Sequence, residues 1–188
     1  MPDRSRAAWL AVLLVLAAPA ASAAQQPARP HVDVPAVAPR PEDVGSLDGI
    51  LKAFYDVISG PAGQPRQWSR DRSLYIPHVQ FVSLSTDSSG AIHAGVMDHQ
   101  SFVDQSNEGL VRRGFFETEI HRVAHRFGNV VHVFSTYEMR ERLDGPVIGR
   151  GINSVELFWD GTRWWISAAQ WDDERPGNPI PPEYLPGS

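Results

Sequence analysis

The chain has 188 residues, of which 42% are hydrophobic and 21% charged, a balance that favours one packed domain and excludes global disorder. Its formal net charge of −5 excludes the basic footprint of a nucleic-acid-binding protein. It contains no cysteine, so disulfides, thiol chemistry and cysteine-based metal sites are excluded as well.

The first 23 residues have the pattern of an export signal. Arg4 and Arg6 precede an apolar run over 7–18 that is short for a membrane span. An Ala-x-Ala site ends at Ala23, so we predict a signal peptide over 1–23 that is cleaved near Ala23. The mature protein would then be periplasmic or secreted, with no membrane contact. An uncleaved anchor helix is the alternative interpretation.

Two helices are predicted after a proline-rich stretch. Residues 24–44 carry repeated proline and few large apolar side chains, which indicates an extended tether. Ser46 is a suitable N-cap for a helix with apolar residues at helical spacing, and Gly60 ends that helix. A second helix is predicted over 67–76, where Pro77 closes it.

A strand and a third helix come next. Residues 78–84 are rich in β-favouring side chains and predict a strand, and 91–96 predict a shorter one. Asp98 is a suitable N-cap for a helix that carries Phe102 and Val103 and ends near Gly109 or Gly114.

The second half of the chain predicts two hairpins. Strands over 114–127 and 130–140 meet at Gly128-Asn129, so His125 should lie opposite His132. Strands over 150–159 and 162–172 meet at Asp160-Gly161, and a two-residue turn there would place Trp159 opposite Thr162.

These elements predict an α+β domain over 45–175, in which a curved antiparallel sheet wraps around N-terminal helices to form a cone. Residues 176–188 form a proline-rich tail that Ile180, Tyr184 and Leu185 would pin to the domain.

Residues 46–175 resemble the nuclear transport factor 2-like superfamily, in its SnoaL-like bacterial branch. The residues that carry the resemblance are Ile50, Leu51, Phe54 and Tyr55, Trp68 and Tyr75, and the stretches 127–138, 150–154 and 160–166 with Trp171. The resemblance implies a cystatin-like cone with a cavity and a homodimeric assembly. It implies no single activity, because the superfamily includes both enzymes and binding proteins.

Side-chain alternation predicts a ligand site where the inner sheet face turns polar. Apolar sheet faces that end in a few polar groups are typical of small-molecule pockets. Binding of a small, mostly apolar ligand is therefore the leading functional prediction, without an assigned reaction. The predicted ligand-binding residues are Phe54, Trp68, Tyr75, Ser135, Tyr137, Asn153, Trp164 and Gln170.

Acid–base catalysis is the alternative function for the same site. Asp172 would act as acid or base, as in an isomerase or dehydratase, while Tyr137 and Asn153 donate hydrogen bonds to the substrate. No cofactor is predicted. Metal binding by His121, His125 and His132 is not predicted either, because His121 and His125 lie about 13 Å apart along one strand at ~3.3 Å per residue.

The outer face of the last hairpin is unusually aromatic. Ile152, Phe158, Trp165 and Trp171 are predicted to point away from the helices. A monomer seldom leaves so large an apolar patch in water, so we predict a homodimer through this face. The alternatives are that the tether or the tail covers the patch, or that the protein is an interaction module that binds another protein there.

Overall fold

The computed structural model of the protein describes residues 30–187. The helices of this part are α1 Pro41–Val44, α2 Leu47–Asp56, α3 Trp68–Arg72 and α4 His99–Arg113, with a short 3-10 helix at Pro182–Tyr184. The strands are β1 Tyr75–Thr86, β2 Ile92–Met97, β3 Phe116–Phe127, β4 Val130–Arg140, β5 Gly149–Trp159 and β6 Trp164–Asp173. The predicted signal peptide over 1–23 lies outside the described residues, so export stays a prediction. Among the described helices, none has both the length and the apolar character needed to cross a membrane.

The six strands form one mixed sheet in the order β2-β1-β6-β5-β4-β3. Neighbouring strands are antiparallel except β1 and β6, which run parallel. Helix α2 packs its apolar stripe on one face of the sheet, where Ile50, Leu51, Val133, Val155 and Ile166 are fully buried. The predicted α+β class is therefore confirmed.

Local signals place the starts of α2 and α4 and the end of α4 as predicted, whereas α2 ends at Asp56 rather than at Gly60. The Ser46 hydroxyl accepts a hydrogen bond from the Gly49 N–H at 2.9 Å and begins α2. Asp98 caps α4 in the same way through the Ser101 N–H at 2.8 Å. Helix α4 ends at Arg113 and is followed by Gly114. Gly114 has a φ of 79°, a left-handed conformation that glycine adopts with little strain.

The second predicted helix is shorter than expected. Helix α3 ends at Arg72, and the chain is already extended at Tyr75, where β1 pairs with Ile166 of β6. The pairing is irregular between Tyr75 and Gln80, and His78 there has a φ of 63°. Pro77 falls in this irregular stretch, where a missing N–H costs no ladder hydrogen bond.

The β3–β4 hairpin has the predicted register near its turn. Phe127 lies opposite Val130, and His125 lies opposite His132. The register shifts between Glu119 and His121, which leaves one extra residue in β3, a β-bulge. Upstream of the bulge, each side chain points to the opposite face from that expected for regular alternation.

The predicted two-residue turn between β5 and β6 is wrong. The Asp160 carboxylate accepts hydrogen bonds from the N–H groups of Thr162 and Arg163, at 2.7 and 2.8 Å, and so holds a longer loop. Trp159 consequently lies opposite Trp164 rather than Thr162. A second bulge leaves Ser167 unpaired, and the alternation of β6 is reversed beyond it.

The N-terminal part of the described chain packs on the domain, whereas the sequence favoured a free tether. Val34 is buried, and its carbonyl accepts a hydrogen bond from Arg72 at 2.9 Å. The backbone N–H of Val32 donates to Asp104 at 2.9 Å. Residues 30–40 are outside helices and strands but still contact α3 and α4, and the last four residues of the predicted tether form the short helix α1.

The C-terminal tail lies on the outer sheet face, opposite α2. Ile180 is buried, and the Thr136 hydroxyl donates to the Tyr184 carbonyl at 2.6 Å. The rings of Tyr184 and Phe134 pack at 5.4 Å between centroids. The tail therefore covers part of the surface that we predicted as a dimer contact.

Candidate functional site

A cavity of about 230 Å³ lies between the inner face of the sheet and helices α2 and α4. Phe102, Ser106 and Leu110 face it from α4, because their spacing of four residues places them on one side of a helix. Aromatic rings form much of the wall, at Phe54, Tyr75, Phe81, Phe102, Phe115 and Trp171.

Four polar side chains from four neighbouring strands line the same cavity. The Asn153 side-chain amide of β5 donates to Glu117 Oε1 of β3 at 3.0 Å. The Tyr137 hydroxyl of β4 donates to Asp173 Oδ1 of β6 at 2.6 Å. Asp173 is exposed and so lies where the cavity opens, whereas Glu117 is half-buried and Asn153 is buried.

A chain of hydrogen bonds supports these groups from behind. The Asn153 amide donates its second hydrogen to the Tyr55 hydroxyl at 3.2 Å. Ser135 donates to Glu119 at 2.6 Å, so the 2.6 Å contact between Tyr55 and Ser135 is donated by the tyrosine. The network fixes the orientation of the Asn153 side chain, because both hydrogens of its amide nitrogen are used.

Burial makes the Glu117 carboxyl group a weaker acid than usual. Its pKa rises from the ordinary 4.5 to about 7, mainly because burial removes water from the carboxyl group. The Asn153 hydrogen bond opposes this rise, and the charge of Asp173 adds to it. Burial and the nearby Glu117 charge also raise the pKa of the Tyr137 hydroxyl, which therefore keeps its proton. A carboxyl group that titrates near neutral pH can both accept and release a proton.

Gly151 makes room for this arrangement. A Cβ atom at this position would lie 2.2 Å from the Tyr137 hydroxyl and 2.6 Å from the Asp172 carbonyl. Both distances are far below van der Waals contact, so no larger residue fits while Tyr137 reaches Asp173.

No family model and no curated protein matches the chain. Solved structures do match it. A protein of unknown function with a cystatin-like fold from Nostoc punctiforme has a TM-score of 0.51 at 8% identity, over 68% of this chain and 88% of that one. The hexachlorocyclohexane dehydrochlorinase LinA-type3 from Novosphingobium barchaimii also has a TM-score of 0.51 at 8% identity, over 70% of this chain and 86% of that one.

The predicted cystatin-like fold is therefore confirmed. At such low identity the likeness extends to the fold alone, so residue roles rest on the geometry of this chain. Members with this fold include ligand-binding and enzymatic proteins.

Four of the predicted ligand-binding residues line the cavity of this cystatin-like domain, namely Phe54, Tyr75, Tyr137 and Asn153. Ser135 lies in the network behind the wall, and Trp164 is buried in the core. Trp68 lies in a separate small cluster, where its indole N–H donates to Asn107 at 2.7 Å.

The predicted inward orientation of Gln170 and Asp172 is wrong. Gln170 is exposed, and Asp172 bonds Arg175 and Asn178 on the outer side of the sheet. The bulge at Ser167 reverses the alternation of β6, so that Asp173 faces the cavity instead of Asp172.

The sequence prediction did not include Glu117, because β3 also contains a β-bulge. Regular alternation from the β3–β4 turn placed Phe116 on the inner face, and the bulge after Glu119 exchanged it for Glu117. The local sequence signal for that bulge is weak, because Glu119-Ile120-His121 reads as ordinary strand.

The outer aromatic face is smaller than predicted. Trp171 lines the cavity, which corrects its outward assignment, and Ile152 lies beside the tail residue Ile180. Trp165 packs under the Arg163 guanidinium, 3.6 Å from its ring centroid, and Phe158 is half-buried. A homodimer through Phe158 and Trp165 stays a prediction, which the mass of the full chain in light scattering would test.

A second buried polar group lies next to the cavity. Asp71 is fully buried and accepts hydrogen bonds from the Tyr75 hydroxyl at 2.8 Å and from the His99 ring at 3.0 Å. This group holds the Tyr75 ring against the cavity and connects α3 to α4.

Across residues 30–187, no set of three histidine or carboxylate side chains is arranged to hold a metal ion.

Proposed function

We propose that the cavity binds a small, mostly apolar ligand whose polar group lies against Glu117 and Asn153. The observation that carries the proposal is a cavity with aromatic and aliphatic walls and a few convergent polar groups, the usual composition of a ligand site. An empty apolar cavity of ~150 Å³ in another protein accommodates benzene. A space of about 230 Å³ therefore suits a single ring with a short side chain.

Native mass spectrometry of the protein purified from its own host tests this proposal. We expect a retained small molecule in the wild-type protein and its loss in Ser106→Trp, which fills the cavity from α4. Gln105→Trp is the matched control, because Gln105 is exposed on the same helix and should leave retention unchanged. Equal retention by all three proteins would place the ligand elsewhere, and no retained molecule in the wild type would count against the proposal.

Acid–base catalysis is the second candidate function, and the near-neutral pKa of Glu117 favours it. A carboxyl group with a pKa of about 7 can serve as general acid or base at neutral pH, as an isomerase or dehydratase requires. Glu117 takes the role that the sequence suggested for Asp172, and the oriented Asn153 amide fixes its position.

Once a ligand is identified, two variants distinguish catalysis from binding. We expect Glu117→Gln to lose at least about a hundredfold in turnover while it still binds the ligand, because Gln keeps the shape but not the titrating proton. Asp172→Asn should keep full turnover, since Asp172 faces away from the cavity. Full turnover by Glu117→Gln would leave binding as the function.

A further inference from the structure

The side-chain protons in the cavity wall are already used by neighbouring residues. Both amide hydrogens of Asn153 go to Tyr55 and Glu117. The Tyr137 hydroxyl donates to Asp173, and the Tyr75 hydroxyl donates to Asp71 behind the wall. Two donors of the lining are exceptions and have no partner among the described residues. One is the Ser106 hydroxyl, which can accept as well as donate, and the other is the Trp171 indole N–H.

The side-chain oxygen atoms left for a ligand accept hydrogen bonds when both carboxyl groups are ionised. No described residue donates to Glu117 Oε2, Asp173 Oδ2 or Asn153 Oδ1, and all three residues line the cavity. A ligand that brings N–H donors can satisfy these oxygens. A ligand whose polar group only accepts hydrogen bonds would leave Glu117 Oε2 and Asn153 Oδ1 unpaired, which is costly for groups that are half-buried or buried.

The charge of the cavity also favours a ligand that brings hydrogen-bond donors. Its lining includes the carboxyl groups of Glu117 and Asp173, and none of the described lining residues is Lys, Arg or His. The nearby cations are paired elsewhere, Arg122 with Glu119 and Arg175 with Asp172. An anionic ligand would meet repulsion here without a compensating cation.

Aromatic rings form the apolar wall next to these carboxyl groups. Phe81, Phe102 and Trp171 pack against one another in the wall, with centroids 5.3 to 6.4 Å apart. Aromatic faces attract a cation through their quadrupole, and rings grouped with carboxylates are a recurring way to recognise ammonium groups.

We propose that the ligand is a small lipophilic amine, bound as its ammonium form, with N–H groups directed to Glu117, Asp173 and Asn153 and its apolar body against the aromatic wall. This inference rests on the proposed function and names the chemical class that the cavity takes.

Three ring compounds of equal size and different charge test the inference by calorimetric titration of the full chain. Phenethylamine carries a positive charge at neutral pH, 2-phenylethanol is neutral and phenylacetate is negative. We expect the amine to bind at least about tenfold more tightly than the alcohol, because an ammonium group gains charge-assisted hydrogen bonds and cation–π contacts. We expect phenylacetate to bind most weakly.

Binding of the alcohol as tightly as the amine, or tightest binding of phenylacetate, would overturn the amine assignment and leave the proposed function intact. Binding of none of the three would count against the proposed function itself.

Matched variants tie the preference to the cavity carboxyl groups. Asp173→Asn and Glu117→Gln should each lower the affinity for phenethylamine about tenfold and leave 2-phenylethanol unchanged. Asp172→Asn is the control, because this neighbouring carboxylate lies on the outer side and should change neither affinity. An equal loss in the Asp172 variant would show a general effect of surface charge and contradict the assignment.

Discussion

The position of Glu117 favours the proposed function and opposes the stability of the domain. In the unfolded chain its carboxyl group ionises with an ordinary pKa of 4.5, whereas in the cavity the pKa is about 7. The folded protein therefore holds this proton more tightly than the unfolded chain between these two values. Stability that is fully present below pH 4.5 is lost as the pH rises through 7.

Glu117→Gln should stabilise the protein in a pH-dependent way. The difference between the two pKa values corresponds to roughly 3 kcal/mol, so the variant should gain up to about that much free energy of unfolding at pH 8. Near pH 5 most of the gain should vanish, because the carboxyl group is then largely protonated in the folded protein. Urea denaturation at both pH values measures the difference. A constant offset between the proteins, or a gain confined to low pH, would contradict the raised pKa.

At the scale of strands, two bulges decide which carboxyl groups enter the cavity. Ser46, Asp98 and Gly128-Asn129 are local signals, and the caps and the turn that they predicted are present. A bulge depends on the pairing of two strands and on the twist of the whole sheet, so regular alternation was assumed for β3 and β6. That assumption gave the correct face for Tyr137 and Asn153. It gave the wrong face for the two carboxyl groups of the cavity, Glu117 and Asp173.

Single cysteines can verify the register of β6, because the chain contains none of its own. Gln170→Cys should react with a thiol reagent as fast as a free thiol, since Gln170 is exposed on the outer side. Ala169→Cys should react much more slowly, because Ala169 is 1% exposed and the sheet must open first.

Circular dichroism of the two cysteine variants controls for loss of structure. Faster reaction at 169 than at 170 would mean that β6 continues in regular alternation. In that case Asp172 would face the cavity instead of Asp173.

At the scale of the whole molecule, both flanking segments are part of the folded domain. Their proline content predicted irregular backbone, which holds apart from α1 and the 3-10 helix, but composition does not show what a segment contacts. The N-terminal segment is held by Asp104 and Arg72, and the tail is held by Thr136 and by burial of Ile180.

Ile180→Ser should destabilise the domain by about 2 kcal/mol, the usual gain from burying one large aliphatic side chain. Ile92→Ser is the matched control, because Ile92 is 66% exposed on β2 and should cost little. Thermal or urea unfolding gives both values. Equal stability of the two variants would mean that the tail contributes nothing to the fold.

The parallel pairing of β1 with β6 has a consequence for the order of folding. The strand at the centre of the sheet is the last one that the ribosome makes, and its partner β1 is made some ninety residues earlier. The β1–β2 and β3–β4 hairpins can form locally, but the β1–β2 pair cannot join the rest of the sheet until β6 is complete. A chain interrupted before Trp164 therefore presents two unpaired strand edges, at β1 and β5, and is prone to aggregate.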